Sequence, residues 1–244
     1  MHAFSRLVAG ALASLALVCA PAAAAPVQNP AVTASFSQPI YELGDTIELT
    51  ITGESNHAGT TPMRLRHDPG YAAARIATYV RHLANDLGHP QVGTVGSITL
   101  HPNLINVVAA SALMTVDLRN TDEAILRSAE ASVEEFCRDL EESEGVTIEA
   151  RTLARFEPVA FDPRVATLVE ATADELGLST MRLPSGAGHD AQMMARICPT
   201  SMVFTPSHRG ISHNPAEHTD DADLAAGADV LLNVVLTLAN GDQT

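Results

Sequence analysis

The sequence has no tryptophan, and aromatic residues make up only 4% of its 244 positions. Any core must therefore rest on Ala, Val, Leu and Ile. Basic residues are scarce too: 14 Lys and Arg stand against 29 Asp and Glu, a formal charge of −15. Nucleic-acid binding needs a basic surface that displaces counterions, so that class is excluded. The acidic balance reads as solubility through self-repulsion. Cysteine is sparse, with three residues and no C-x-x-C spacing, which excludes a cysteine zinc site. Cys137 lies in an amphipathic helix pattern and Cys198 precedes Pro199, so both read as small core residues. The glycine-rich stretch SGAG (185–188) lacks a following Gly-Lys-Ser/Thr and is not a phosphate loop. No internal repeat is visible, and charged residues are only 18% against 46% hydrophobic, which suits a globular chain and not a disordered one.

What is present begins with an export signal. Arg6 precedes an apolar run from Leu7 to Cys19, followed by Pro21 and AAAA (22–25). A positive start, a short apolar core and an A-x-A site describe a secretory signal over 1–25, and so an exported protein, periplasmic or extracellular. The run is shorter than the roughly 20 residues of a spanning helix. Val18 is bulky where a lipoprotein signal needs a small residue. The competing reading, a buried apolar helix, is disfavoured by the missing polar periodicity. Residues 26–45, with Pro26, Pro30, Pro39 and Gly44, read as a linker and strand-like lead-in.

From Thr46 the chain alternates, with Ile47, Leu49 and Ile51 apolar and Glu48, Thr50 and Thr52 polar, as a half-buried strand does. A helix is predicted from about Asp68 to Leu87, with Ile76, Val80, Leu83 and Leu87 inward and Gly88 closing it. Strands follow at about 92–100 and 104–119 around a turn at Pro102-Asn103. A second helix is predicted over about 121–143, capped by Asn120 with Glu123, its stripe formed by Ile125, Ala129, Val133, Phe136 and Leu140. Gly145 ends it and an alternating strand begins at Val146. Strand, helix, strand, strand, helix, strand is the split βαβ, ferredoxin-like order, over 46–156.

The remainder, 157–244, has another rhythm. A helix at about 163–176 leads to a strand near 180–183, the SGAG loop, a short helix (190–197), a strand (201–205), the loop SHRGISHNP (207–215) and a last helix over about 221–239. A short crossover predicts parallel neighbours, with both loops at the carboxyl ends of their strands. That would set His189 and His213 on one rim.

Several residues in these patterns can carry chemistry. His213 sits in a Gly/Pro-defined loop and is either a zinc ligand or a loop histidine bonded to backbone. His208 and His218 flank it without H-E-x-x-H spacing and read as exposed. The loop around Gly188 and His189 either lines a ligand or is a tight turn, with Asp190 as helix cap. Arg119 ends the long strand on the polar face with Thr115 and Asp117. It either holds a carboxylate in its planar fork or forms a salt bridge with Asp117. Regular strand pairing would put Asn106 and His57 near one end of the small domain.

Taken together, NHAGTTPM (56–63), the NVV and DLR around Asn106 and Arg119, PSGAGHDA (184–191), CPT and GISHNP (210–215) resemble the carbamoylase branch of the zinc aminoacylase/carboxypeptidase family. Its members are N-carbamoyl-L-amino-acid hydrolases, allantoate amidohydrolases and β-ureidopropionases. The resemblance covers about three-quarters of the chain. It implies a ferredoxin-like lid and dimerisation domain followed by the C-terminal part of an α/β di-metal hydrolase domain. It implies His213 as a metal ligand, and Arg119 and Asn106 on the carboxylate end of a ureido or amide substrate. It implies His57 as the oxyanion donor, across a homodimer, and Gly188 and His189 as pocket lining. The full family site holds two divalent ions, Zn, Mn or Co.

The family's front half supplies a His-x-Asp motif, a bridging aspartate, a Glu-Glu pair with the general base and a further histidine. None precedes Ser55 here, and Glu141-Glu142 lies on the second helix of the lid. The leading expectation is a truncated amidohydrolase, inactive alone. Its rivals are a non-catalytic dimerisation or ligand-binding module, and a rewired mono-zinc hydrolase using His189, Asp190 and His213. Most of the family is cytoplasmic, which is the alternative to export.

Overall fold

The computed structural model describes residues 15–16 and 45–241. The export signal and the lead-in expected over 1–45 lie outside these, apart from Leu15–Ala16 and Asp45. In chain order the elements are β1 (Leu15–Ala16), β2 (Asp45–Thr52), β3 (Asn56–His57), α1 (Pro69–Leu87), β4 (Val92–His101), β5 (Val107–Val108), β6 (Ser111–Arg119), α2 (Glu123–Glu144), β7 (Thr147–Arg155), α3 (Pro163–Glu175), α4 (Asp190–Met194), β8 (Met202–Val203) and α5 (Asp221–Ala239). They form two compact units. The sheet unit runs to Pro158 and takes in Pro184–Gly188; the rear unit holds Val159–Leu183 and His189 onward.

In the sheet unit the strand order is β4-β6-β2-β7, every neighbour antiparallel. α1 connects β2 to β4 across β6, and α2 connects β6 to β7 across β2, so the split βαβ order of the sequence is realised. The alternation of β2 and β6 turns Leu49, Ile51, Ala112, Met114, Val116 and Leu118 onto the helices, where each is nearly sealed from solvent. Tyr79 of α1 stacks on Phe136 of α2 with centroids 4.0 Å apart.

The helix ends follow local chemistry. Asp68 accepts hydrogen bonds from the Gly70 and Tyr71 amides, Pro69 opens α1, and Gly88 closes it at φ 72°. Gly145 ends α2 in the left-handed region at φ 65°, where a side chain is strained. The cap of α2 differs from expectation. Asp122, not Asn120, accepts from the Ala124 and Ile125 amides. Asn120 is occupied with the Asp122 amide and the Gln91 side chain. The buried stripe is correspondingly rotated to Leu126, Ala129, Val133, Cys137 and Leu140, leaving Ile125 exposed. The long strand expected over 104–119 is broken at Ala109-Ala110, where the Ala110 amide donates to the His101 carbonyl.

Burial raises the Cys137 thiol to about 11, with Glu141 and Glu134 adding to the effect. At neutral pH it is a protonated core residue and a poor nucleophile. Iodoacetamide is therefore expected to label half-buried Cys198 in the native protein and Cys137 only after unfolding. Equal labelling rates, read by peptide mass spectrometry, would contradict this.

In the rear unit, Asp162 caps α3, and the Arg164 guanidinium at 2.8 Å holds its carboxyl down at about 2. α3 and α5 pack through Ala173, Val230 and Val234, with Leu168, Val169 and Leu238 around them. α5 is apolar on more than this side: Leu224, Leu232, Val235 and Leu236 remain exposed. It is also the one described helix long and apolar enough to cross a membrane by length and composition.

The expected pair of parallel strands is absent among the described residues. Residues 180–183 form no strand, and Met181 and Leu183 are exposed. β8 shrinks to two residues and pairs antiparallel with the backbone of β1. A strand exists only through its ladder, and 180–183 has no described neighbour to bond to. No parallel strand pair among the described residues therefore sets His189 and His213 on one rim.

Candidate functional site

The expected site residues of the sheet unit fall at opposite ends of one sheet. β3 pairs with β5, His57 opposite Val107, and the Ala58 amide donates to the Asn106 carbonyl at 3.0 Å. His57 and Asn106 therefore share one end, as regular pairing predicted. Arg119 lies at the other end: Thr52 pairs with Ser111, but Asp45 with Leu118. Eight steps along β6 separate Ser111 from Arg119, about 26 Å at the usual strand rise.

The His57 ring is held by its backbone. Its Nδ1 accepts from the Gly59 amide at 2.9 Å and the Thr60 amide at 3.3 Å. A ring nitrogen that accepts carries no proton, so the single proton of the neutral ring sits on Nε2 and makes it a donor. The loop is tied further. Thr61 Oγ1 donates to the His57 carbonyl at 2.8 Å, and the Arg66 guanidinium donates to the carbonyls of Ala58 and Thr61 at 2.6 and 3.1 Å. Arg66 and the two amides are parts that sequence reasoning missed. Only the Gly-Thr-Thr following the histidine hinted at them.

Arg119 is engaged. Its Nε and Nη2 donate to both Asp117 oxygens at 2.7 and 3.0 Å, and Nη1 donates to the Gly186 carbonyl at 2.7 Å. Thr46 Oγ1 supports the carboxylate from β2 at 3.0 Å. The Asp117 salt bridge that the sequence offered is in place. The bidentate fork also fixes the guanidinium plane. The SGAG loop, through Gly186, belongs to the same unit. A two-residue spacing on a strand puts Asp117 and Arg119 on one face, which was the legible part of this signal.

Beside this end lies a charged cluster that sequence reasoning did not find. Arg155 donates to Glu123 at 2.7 Å and pairs with Glu130 at 2.8 Å, while Arg127 also pairs with Glu123. Asp45 is 5% exposed, and its Oδ1 has no hydrogen-bond partner among the described residues. Burial first, then the neighbouring Glu130 charge, raise its carboxyl to about 6 against the pull of Arg155. Burial likewise raises Glu130, while the Arg155 hydrogen bond lowers Glu123.

In the rear unit, His189 caps α4: its Nδ1 accepts from the Ala191 amide at 3.0 Å. The cap was expected to be Asp190. The bond leaves the ring proton on Nε2, so His189 cannot ligate a metal through either nitrogen while the cap is formed. His213 lies in an exposed loop at φ 55°, its amide donating to Glu217 Oε2 at 2.7 Å. Among the described residues no group of three His, Cys, Asp or Glu is arranged to hold a metal ion. The mono-zinc reading through His189, Asp190 and His213 thus finds no ligand group among the described residues. The residues described here do not by themselves fit a metal pair.

The model of peptidase family M20/M25/M40 matches residues 24–237. The chain belongs to this family, in its hydantoinase/carbamoylase branch. The N-carbamoyl-L-amino-acid amidohydrolase of Rhizobium meliloti is 40% identical over 193 residues, 79% of this chain and 46% of the relative. The allantoate amidohydrolase of Escherichia coli K12 is 42% identical over 192 residues, 78% of this chain and 46% of the relative. The crystal structure of a hydantoinase/carbamoylase family amidase from Burkholderia vietnamiensis superposes with a TM-score of 0.75 at 34% identity, covering 80% of this chain and 48% of that one. The M20 chain described here thus spans about half the length of the curated relatives it matches.

Proposed function

We propose that this chain is the lid and rear catalytic segment of a metal-dependent amidohydrolase acting on non-peptide C–N bonds. Its substrates in this reading are N-carbamoyl-L-amino acids, allantoate or similar ureido acids. The observation that carries the reading is the pinned His57 ring. Two backbone amides on Nδ1 hold a proton on Nε2, which is what a donor to a developing oxyanion requires, with no reorganisation at the moment of reaction. Arg119, held flat by Asp117, and Asn106 take the substrate carboxylate, and Gly188 and His189 line the pocket. His57 and Arg119 are too far apart in one copy to touch one small molecule, which supports a homodimer sharing its sites. Among the described residues His213 is the ligand candidate for the two divalent ions of the full family site, with the other ligands supplied from outside them. Export through residues 1–25 is part of this proposal and rests on the sequence alone.

Calorimetric titration with N-carbamoyl-L-leucine and with its amide tests the reading. The acid is expected to bind and the amide not. Arg119→Ala should weaken the acid by about 2 kcal/mol or more, the usual cost of removing one partner of a charge pair. Equal affinity for acid and amide, or none for either, would remove the assignment. No turnover is expected from the chain alone with added zinc, manganese or cobalt. Metal-dependent hydrolysis lost in His213→Ala would show a complete site. The second reading, a non-catalytic ligand-binding or dimerisation module, is favoured by the lack of a three-ligand group among the described residues. It predicts acid binding that no complementing partner converts into hydrolysis.

A further inference from the structure

The His57 ring is exposed to solvent. Water can bond either nitrogen of an imidazole, so the proton goes where the partner of the other nitrogen sends it. At His57 that partner is the Gly59 amide, 2.9 Å from Nδ1, with the Thr60 amide at 3.3 Å as a weaker second. Whatever aims the Gly59 amide therefore chooses the tautomer. The Ala58–Gly59 peptide is trans and planar, so its carbonyl and its amide point to opposite sides. The Ala58 carbonyl on the far side takes a hydrogen bond from Arg66 Nη2 at 2.6 Å. Arg66 Nε reaches the Thr61 carbonyl at 3.1 Å, which fixes the plane of the guanidinium. The chain carries 29 acidic residues, yet this half-buried fork closes on two backbone carbonyls. The preceding peptide is held by other groups. The Ala58 amide donates to the Asn106 carbonyl at 3.0 Å, and the His57 carbonyl accepts from Thr61 Oγ1 at 2.8 Å. The fold of the loop and the aim of the Gly59 amide thus have separate anchors.

We propose that Arg66 is a positioning residue for His57, keeping the ring proton on Nε2 by acting through the Ala58–Gly59 peptide. Its place in the chemistry rests on the reading of His57 as donor to the oxyanion. A cation on the Ala58 carbonyl has two effects. It holds the peptide so that the Gly59 N–H faces Nδ1, and it polarises the peptide so that this N–H donates more strongly. Both effects favour a bare Nδ1, which leaves the proton on Nε2. In the other tautomer Nε2 would be an acceptor, and a developing oxyanion would meet a lone pair instead of a donor. Gly59 supplies the room for this approach. A methyl group there would lie 3.2 Å from the ring Cε1, so the ring would have to give way.

Long-range proton–nitrogen NMR of the full chain, with isotope-labelled histidine and no ligand, reads the tautomer directly. The His57 signals are assigned by their loss in His57→Gln, and spectra are taken at mildly alkaline pH, where imidazoles are neutral. The wild type is expected to show a protonated Nε2 and a bare Nδ1. Arg66→Met keeps the stem and removes the fork. It should move the tautomer ratio about 10-fold toward Nδ1–H, the worth of one charge-assisted hydrogen bond. Arg66→Lys, a point charge in place of the fork, should move it the same way by about 3-fold. Arg64→Met removes a charge from the same loop and should leave the ratio unchanged. Hydrogen exchange at the Ala58 amide reports the fold of the loop through its bond to Asn106, and should stay as slow in every variant as in the wild type. Four results would each overturn the proposal: a wild-type proton on Nδ1, Arg66 variants with the wild-type ratio, an equal shift in Arg64→Met, or a shift seen only where Ala58 protection is lost. Should Arg66→Met not fold, Arg66→Lys decides alone. The substrate reading is tested apart, by the titration with N-carbamoyl-L-leucine. An Arg66-dependent tautomer in a chain that ignores this acid removes only the substrate, and an acid-binding chain whose tautomer ignores Arg66 removes only the positioning role.

Discussion

Asp45→Asn is expected to stabilise the sheet unit at neutral pH, by up to about 3 kcal/mol. The carboxyl of Asp45 is displaced from 3.8 to about 6 on folding, mainly because it is buried and also because Glu130 and Asp117 face it; Arg155 offsets only part of this. A group with a raised folded-state pKa binds its proton more tightly in the native protein. Its contribution is therefore fully present at acid pH, falls as pH rises through the window between these two values, and is absent above it. Asparagine keeps the shape and removes the buried charge. Urea unfolding followed at sheet amides, below and above the window, should show a wild-type decline that the variant largely lacks. Glu130, also raised by burial, leaves a residual slope of the same sign in both proteins. A variant no more stable than wild type above the window would mean that Arg155 compensates Asp45 in full.

Gly53→Ala is expected to cost about 3 kcal/mol, at the upper end of overpacking substitutions. A methyl group there would lie 2.3 Å from the His67 carbonyl and 2.8 Å from Pro69, so backbone has to move. The damage is placed where it matters for chemistry. The Glu54 amide bonds to the His67 carbonyl, closing the neck of the loop that holds His57. The variant should therefore lose both stability and affinity for ureido acids. Thermal unfolding and titration on one sample check both, and a stable variant with unchanged affinity would show that the neck yields without cost.

The sheet unit was legible because its two periods are strong. Ile47, Leu49 and Ile51 alternate, Ile76 and Val80 repeat at helical spacing, and Asp68, Gly88 and Gly145 mark boundaries with chemistry that has few alternatives. Errors arose where two neighbours offered the same chemistry. Asn120 and Asp122 can both cap; the choice was made by Gln91, far away in sequence, which takes the Asn120 amide. Ile125 and Leu126 can both begin a stripe, and the face in contact is the one that carries Leu126 and Cys137, with Phe136 at its edge. The rear unit was less legible because its strands depend on partners. Met181 and Leu183 look like a strand only to a reader who assumes a neighbour. At the site, alternation put Arg119 and Asp117 on one face, but only geometry showed the fork closed. The pinning of His57 by its own loop amides has no signature beyond the small residues that permit it.

The exposed side of α5 has a consequence for the chain as a cellular object. A helix that packs Val230 and Val234 on α3 and still presents Leu224, Leu232, Val235 and Leu236 to solvent is built for the middle of a layer, not for an outside. Among the described residues nothing shields that side, and a chain left so is expected to be handled by quality control as an unassembled subunit. How long it survives then depends less on its folding free energy than on how soon it is covered, so abundance becomes a measure of assembly.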